Sequence, residues 1–351
     1  MAFSCQPMQP GMLYDAAARV AADASFPDGH DVIGEMGWPL VLLPEDKGGM
    51  GGTLTDLTAL VEGLAAQGSP LPVIERCAVA PLLLQAGGDT PWLEGLADGS
   101  QRIAPLMGSR SHDLATQALT AELSNGDYVL RGAVGGVDTS GDPTHWLAIG
   151  RLGDELGIFV LDASQLPASH SRYRGMDGRH TSNYQLDGVT LSQDRCIAKG
   201  AAASEAITRA GQAALAMICA DSVTVLGAMV EHTVTYLNGR VQFGVALSTF
   251  QALRHQLVNV YMRYESGRGM ITNYLTEAGQ NPAQDVRRLS LAKLALGESG
   301  RYSAETVIQL HGGMGMTEEM LAARLAQRLL ANEFRYGDRF SHSAALPLRR
   351  P

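Results

Sequence analysis

One long segment constrains the fold of this chain more than any other, because residues 206–237 are apolar around almost the whole circumference of a helix. Leu215, Ile218, Leu226 and Met229 recur in it at helical spacing. A helix that lacks a polar face has to be surrounded by other elements of the protein. The segment therefore predicts a buried helix inside a helical bundle.

Three further helices are predicted in the same part of the chain. Residues 250–275 and 286–310 have the composition and length of long helices. Gly312-Gly313 is expected to cap the second of them at its C-terminus, because glycine adopts the left-handed conformation without strain. Thr317 is expected to be the N-cap of a last helix, with two acidic residues in its first turn. The pattern predicts a four-helix bundle.

The rest of the chain changes character near residue 101. Before it, short apolar segments at helical spacing are separated by proline and glycine. After it, residues 118–134 alternate with period two about a turn at Gly126, and further short apolar runs follow, which predicts a small β-barrel or sandwich. The predicted fold class is therefore α+β with three domains, namely an all-α domain (1–101), a β-domain (102–200) and a four-helix bundle (201–351).

Composition excludes several classes of function. The 351 residues suit two or three domains, and 45% of them are apolar, as in a folded protein. A net charge of −9 leaves no basic excess for nucleic acid. The four cysteines are far apart and form no C-x-x-C pair, so neither a zinc site nor a disulfide framework is expected. Neither a signal peptide nor a membrane helix is evident, and a cytoplasmic location is expected.

Common catalytic motifs do not occur in the sequence. It has no G-x-G-x-x-G dinucleotide fingerprint, no P-loop and no H-E-x-x-H zinc motif. Ser, His and Asp occur together in residues 109–113, but a hydrolase triad is defined by geometry and not by proximity in sequence. The nine histidines are scattered, and His232 and His311 in helical stretches are interpreted as structural.

Three other stretches carry more information: residues 37–52, which begin Gly-Trp-Pro and end in a glycine-rich loop; residues 240–252, RVQFGVALSTFQA; and residues 309–316, QLHGGMGM. Together, and in this order, they resemble the acyl-CoA dehydrogenase family of flavoproteins. The resemblance covers nearly the whole chain, and the second and third stretches are fairly specific as a pair. It implies a helical N-terminal domain, a middle β-domain and a C-terminal four-helix bundle.

The resemblance also implies an FAD site that is shared between subunits of a dimer or tetramer. The residues of this chain that would contact the adenine half of FAD bound mainly by a neighbour are Arg240, Gln242, Phe243, Leu247, Gln309, Gly312 and Gly313. These residue types suit a dinucleotide. A guanidinium can bind a pyrophosphate through two parallel hydrogen bonds, and glycine lets the backbone approach a phosphate or ribose closely.

The sequence departs from the family at the catalytic base. Family members use a glutamate to remove the α-proton of the acyl-CoA while a hydride passes to the flavin. The two positions at which that glutamate normally occurs fall on Tyr336 and Ala214 here. Asp338 is the candidate base, although a solvated residue at a helix end is the competing interpretation. Asp221 lies two helical turns from Ala214, about 10 Å along the axis, and is too far away.

The flavin-ring side departs from the family as well. Members usually carry a Thr-Glu-Pro-Gly-like stretch and then an aromatic residue on a strand that contacts the ring. The corresponding stretches here are residues 104–109 and 132–138, and neither contains an aromatic residue. This combination looks like the small subunits of two-component bacterial acyl-CoA dehydrogenases of the pimeloyl-CoA or steroid side-chain type.

The predicted function is FAD-dependent α,β-dehydrogenation of an acyl-CoA to the 2-enoyl-CoA, with electrons passed to electron-transfer flavoprotein. The chain would act as one subunit of a homo- or hetero-oligomer. Two alternatives stay open. The chain could be a non-catalytic subunit that completes the FAD site of a homologous partner. It could also be a family relative with altered flavin chemistry, such as a monooxygenase or oxidase.

Overall fold

The computed structural model describes residues 2–23, 31–278 and 282–346. Helices occupy both ends of the described chain and strands occupy its middle, which confirms the predicted order of elements. The helices are α1 (Met12–Ala22), α2 (Val32–Glu35), α3 (Leu54–Ala65), α4 (Ala80–Leu84), α5 (Pro91–Ala97), α6 (Ala201–Gly239), α7 (Gln251–Glu277), α8 (Pro282–His311), α9 (Leu321–Phe334) and α10 (Arg339–Ala345).

The strands lie between α5 and α6, apart from one short hairpin that follows α6. They are β1 (Ile103–Pro105), β2 (Leu119–Ser124), β3 (Asp127–Asp138), β4 (His145–Leu152), β5 (Glu155–Asp162), β6 (Ser171–Arg174), β7 (His180–Leu191), β8 (Cys196–Lys199), β9 (Val241–Gln242) and β10 (Val245–Ala246).

The described residues divide into two compact units, and each is treated separately here. The first is formed by the described parts of 1–24, 58–70 and 215–351, and the second by those of 25–57 and 71–214. The sequence-based division into three domains at residues 101 and 200 stays a prediction, because these units follow spatial contacts and cross those boundaries.

In the second unit, β1 to β8 pair in one sheet with the order β6-β7-β3-β2-β4-β5-β8, and β1 pairs with β4. The predicted hairpin is present. Asn125 and Gly126 both have positive φ between β2 and β3, as a two-residue turn of mirror-image type requires. Leu119, Ala121 and Leu130 are buried, so the alternation seen in this hairpin marks the buried face. Strands β4 and β5 are instead buried along five consecutive residues each.

The loop at residues 45–52 is more ordered than its four glycines and its charged residues suggest. A short 3-10 turn, Glu45–Lys47, is followed by backbone hydrogen bonds that return to the preceding segment, including Gly51 N–H to Leu43 O at 2.8 Å. A Cβ on Gly49 would lie 2.1 Å from the Leu43 carbonyl oxygen. The glycines here therefore allow close backbone packing, and the segment is an ordered turn.

In the first unit the core is helical, and residues 215–230 of α6 are all buried, as the sequence predicted. Among the described helices, α6 alone has the length and apolar composition of a membrane span, and its whole apolar window is buried inside the protein. Glycine allows the helices to approach one another. A Cβ on Gly227 would lie 2.7 Å from the Tyr264 ring of α7, and one on Gly267 would lie 2.7 Å from Leu296 of α8.

Of two predictions about the ends of the C-terminal helices, one is confirmed and one is wrong. Helix α8 ends at His311, and Gly312 has φ +58°, which confirms the glycine C-cap. Helix α9, however, starts at Leu321 after Met320, so Thr317 is not its N-cap. The Thr317 hydroxyl instead donates to the Met314 carbonyl at 2.9 Å, at the end of a 3-10 turn over Gly312–Met316.

Candidate functional site

A short hairpin extends from the end of α6 and is called the arm here (residues 240–247). The Arg240 N–H donates to the Tyr236 carbonyl at 2.9 Å, in the hydrogen-bond pattern of the helix that has just ended. Val241–Gln242 then pairs with Val245–Ala246, and the Leu247 N–H donates to the Arg240 carbonyl at 2.9 Å. The guanidinium of Arg240 and the amide of Gln242 are exposed. The arm thus presents polar groups on a hydrogen-bonded frame.

The tip of the arm is an exposed aromatic residue in an unfavourable backbone conformation. Phe243 has φ +54° and is followed by Gly244 with φ +79°. Two positive φ angles form the tight mirror-image hairpin turn, for which asparagine or glycine is preferred at the first position. The Phe243 side chain is nevertheless 90% exposed, with one edge-to-face contact to Phe250 at a centroid distance of 6.1 Å. Folding alone gives little reason for phenylalanine here.

A second exposed element follows α8 and is called the glycine turn (Gly312–Met316). A Cβ built on Gly312 or on Gly313 would meet no atom within 4 Å, so both glycines face open space. Met316 is 79% exposed, and Gln309 on the last turn of α8 is also exposed. Backbone without side chains on an open surface suits close approach by a ligand or a neighbouring molecule.

The arm and the glycine turn are joined at their bases. The ring of Tyr236, in the last full turn of α6, stacks on the ring of His311 at a centroid distance of 4.4 Å. The Tyr236 hydroxyl donates to the His311 backbone carbonyl at 3.1 Å. His311 is the last residue of α8, so these contacts place the ends of α6 and α8 side by side. The sequence-predicted cofactor residues on both helices therefore share one surface.

The candidate base Asp338 caps a helix. It precedes α10, and its carboxylate accepts hydrogen bonds from the Ser341 N–H at 2.8 Å and from the Ser341 hydroxyl at 2.7 Å. These bonds hold the pKa of Asp338 below its usual range. A low pKa weakens a general base, because such a carboxylate gains a proton less readily. Asp338 as catalytic base remains a prediction from the sequence.

The other two base positions hold no carboxylate. Ala214 is fully buried in α6. Tyr336 is 2% exposed, has φ +55°, and its ring lies under the Arg335 guanidinium at 5.7 Å. Asp221, which follows Ala214 on the same helix, is also buried. Burial opposes its ionisation, but the adjacent Arg328 guanidinium outweighs burial and holds its pKa below the usual range.

The two stretches that the resemblance places near the flavin ring lie in the second unit. They touch each other through a bridge between Gly108 and Val137. At the end of β3, Asp138 is buried and forms an ion pair with Arg179 at 3.4 Å, and Arg179 also pairs with Glu75 at 3.0 Å. Burial raises the pKa of Asp138, although Arg179 opposes the shift. No aromatic side chain is contributed by either stretch.

These observations test whether the chain fits a flavin dinucleotide. The exposed arginine, the exposed amides and the open glycine backbone of the first unit suit the pyrophosphate and adenosine part. The ring-side stretches of the second unit offer a charged cluster instead of an aromatic contact. The residues therefore fit the adenine-side role that the resemblance assigned to them.

Comparison with known proteins identifies the fold. Residues 204–339 match the family described as acyl-CoA dehydrogenase, C-terminal domain. The chain is similar over nearly its whole length to butyryl-CoA dehydrogenase from Megasphaera elsdenii, with a TM-score of 0.81, 18% identity, and 98% and 99% of the two chains covered. The fold is that of the acyl-CoA dehydrogenases. This confirms the predicted fold class and the resemblance stated from the sequence.

Three further proteins are similar to this chain. The chain is 24% identical over 285 residues to the acyl-CoA dehydrogenase IpdE2 of Mycolicibacterium smegmatis, covering 81% of this chain and 75% of the relative. It is similar to a chain of the ChsE4-ChsE5 complex from Mycobacterium tuberculosis (TM-score 0.80, 17% identity, 97% of each chain). It is also similar to a glutaryl-CoA dehydrogenase from Mycobacterium smegmatis in complex with FADH2 (TM-score 0.76, 18% identity, 94% and 86%).

The relatives that are named acyl-CoA dehydrogenases are oxidoreductases, and the predicted enzyme class is confirmed at that level. Tyr236 is not among the residues predicted from the sequence, whereas the interpretation of His311 as structural agrees with its burial against Tyr236 and Val307. Their positions contained a usable signal. Tyr236 lies one helical turn before Arg240, and His311 directly precedes the two glycines.

Proposed function

We propose that this chain is a subunit of an FAD-dependent acyl-CoA dehydrogenase and that its arm and glycine turn complete an FAD site held mainly by another subunit. The observation that carries the proposal is Phe243, which is 90% exposed and occupies a left-handed backbone conformation. Such a residue is explained by a contact outside the chain. The glutaryl-CoA dehydrogenase neighbour, whose structure contains FADH2, supports a flavin as the cofactor.

In this proposal the roles of the residues follow from their chemistry. Arg240 binds the pyrophosphate through its guanidinium, Gln242 and Gln309 bind through their amides, and Phe243 and Leu247 give apolar contact. Gly312 and Gly313 leave room for the ribose or phosphate next to the backbone. FAD, when bound, supplies the two-electron acceptor for oxidation of an acyl-CoA to the 2-enoyl-CoA. Electron-transfer flavoprotein is the expected next acceptor.

A second candidate function is that of a non-catalytic subunit. It is favoured by the absence of a carboxylate at Tyr336 and Ala214 and by the capping bonds of Asp338. The partner would then be a homologous catalytic chain that supplies the base, and the similar chain from the ChsE4-ChsE5 structure belongs to a complex. A third candidate is altered flavin chemistry, such as a monooxygenase or oxidase, which the missing glutamate permits. Product analysis with and without oxygen separates it from dehydrogenation.

The proposal is tested by co-expressing the chain with a larger homologue encoded nearby and measuring bound flavin by its visible absorbance. Arg240→Ala is compared with Arg209→Ala, an exposed arginine near the start of the same helix. Loss of FAD from the complex with Arg240→Ala and retention with Arg209→Ala supports the proposal. Equal FAD in both variants, or a partner whose flavin content does not depend on this chain, contradicts it.

Acyl-CoA oxidation in the same preparations distinguishes the first two candidates. The chain alone is expected to be colourless and inactive if it only completes a partner's site. An independent dehydrogenase would be yellow as purified and would reduce an electron-accepting dye on addition of an acyl-CoA.

A further inference from the structure

We propose that Tyr236 and His311 form a positioning pair that holds the arm and the glycine turn in a fixed relation, so that both can bind one dinucleotide. This inference rests on the proposed function for its ligand, but the pair itself is a property of the chain. Tyr236 and His311 are not placed in contact with the ligand; they act through the segments that follow them.

The pair occupies the base of each segment. The Tyr236 carbonyl accepts the Arg240 N–H at 2.9 Å, so the first residue of the arm is attached to the turn that carries Tyr236. His311 is covalently followed by Gly312. A shift of either ring therefore moves the adjoining segment.

Two contacts of different kinds hold Tyr236 and His311 together. The rings stack at 4.4 Å with an interplanar angle of 27°, which opposes separation. The Tyr236 hydroxyl donates to the His311 carbonyl at 3.1 Å. That carbonyl belongs to the last turn of α8, where the helix itself provides no N–H donor for it. The hydrogen bond therefore orients the peptide group that leads into Gly312.

His311 is itself held firmly. It is 2% exposed, and its Nδ1 lies 2.9 Å from the Val307 carbonyl oxygen. A carbonyl can only accept, so Nδ1 carries the proton and the ring is fixed as that tautomer. Burial, together with the neighbouring His232, lowers the pKa of His311, although the Val307 bond opposes the shift. The imidazole is therefore a neutral, oriented ring against which Tyr236 packs.

Most residues of the two segments are exposed. Phe243 contacts Phe250, and the remaining arm residues from Arg240 to Val245 are exposed. In the glycine turn, Gly315 is buried, whereas Gly312, Gly313, Met314 and Met316 are exposed. Segments with so little burial would otherwise move independently.

The test uses Tyr236→Phe, which keeps the stacked ring and loses the hydroxyl, and Tyr236→Leu, which loses both contacts. Tyr302→Leu serves as a matched control, because it removes an aromatic contact to Arg263 elsewhere in the same unit. Two readouts are taken. Amide hydrogen exchange of residues 240–247 and 312–316 is measured in the chain alone, and the dissociation constant for FAD is measured in the complex.

Tyr236→Leu is expected to raise exchange in both segments together and to weaken FAD binding by about 10-fold or more. Tyr236→Phe is expected to weaken binding by about 2- to 10-fold, the range for one net hydrogen bond. Tyr302→Leu leaves both readouts unchanged. Exchange that is unaltered by Tyr236→Leu, or altered in only one segment, overturns the positioning pair.

The two proposals fail in different ways. If Arg240→Ala releases FAD but Tyr236→Leu does not, the positioning pair is wrong and the cofactor role of the arm stands. If Arg240→Ala does not change the FAD content of the complex, the proposed function fails. Hydrogen exchange in the chain alone still decides whether Tyr236 and His311 couple the two segments.

Discussion

Arg328 on α9 and Asp221 on α6 form an ion pair in which both side chains are almost completely buried. The Arg328 Nη2 lies 2.5 Å from Oδ2 of Asp221, and the second terminal nitrogen donates to the Ser69 carbonyl at 2.6 Å. Asn332 donates to the same carboxylate at 2.6 Å. The pair thus connects three segments of the first unit, and it explains why Asp221 is not free to act as a base.

The first prediction follows from this burial. Arg328→Met leaves the Asp221 charge buried without its cation, so it should lower the free energy of unfolding by about 3–5 kcal/mol. Chemical denaturation of the chain measures the change. The double variant Asp221→Leu, Arg328→Met should recover much of the loss, because no lone charge remains. A loss below 1 kcal/mol for the single variant would show that the pair is not energetically important.

The second prediction separates capping from catalysis at Asp338. Asparagine caps a helix about as well as aspartate does, whereas alanine does not, so Asp338→Ala should cost about 1 kcal/mol of stability and Asp338→Asn much less. Acyl-CoA oxidation by the complex is measured beside stability. Activity that survives in Asp338→Asn identifies the residue as a cap. Activity lost in a stable Asp338→Asn would instead support the base predicted from the sequence.

The third prediction concerns the tip of the arm. Phe243→Asn places a residue that tolerates positive φ in the turn, so stability should be unchanged or rise by up to about 1 kcal/mol. Assembly of the complex, measured by analytical ultracentrifugation, should weaken because the exposed ring is lost. Phe340→Asn is the control, since Phe340 is also exposed, at 74%, but lies outside the arm. Equal assembly in both variants would argue against an external contact for Phe243.

The fourth prediction uses pH. Burial raises the pKa of Glu62, although its bonds from the Met8 and Gln9 N–H groups, each 2.8 Å, oppose the shift. The folded chain therefore binds more protons than the unfolded chain between the ordinary carboxyl pKa and the raised one. Across that window this group makes stability fall as pH rises.

Glu62→Gln should remove this component of the pH dependence. Urea unfolding of both proteins from pH 4 to pH 8 gives the comparison, in which the stability of the variant relative to wild type should increase with pH and then level off. A difference that stays constant, or that changes with the opposite sign, would contradict the assignment to Glu62.

Local patterns in the sequence were sufficient for most of the fold. The hairpin about Gly126 is found where period two indicates it. Residues 206–237 predict a buried helix because the segment has no polar face. The short strands β1, β6 and β8 have no comparable signal, since three or four residues are too few to display alternation.

The sequence predicts the individual motifs of the site but not the surface that they share. The motif residues on the arm and the glycine turn were named from the resemblance. Their shared surface depends on Tyr236 meeting His311, 75 residues away in the chain, and the burial of Asp221 depends on Arg328, 107 residues away. Patterns within a single sequence do not show which distant residues meet in the fold. The error at Thr317 has a similar cause, because its hydroxyl is used by the turn before it.

Photolabelling of the complex with an FAD analogue that carries an azide at C8 of its adenine ring tests the central claim most directly, because the reactive group lies on the half of the cofactor that this chain is proposed to contact. The account predicts that this chain is labelled within residues 240–247 or 309–316 and that unmodified FAD prevents the labelling. Label found only on the partner subunit, or on this chain only outside those two segments, would contradict the account.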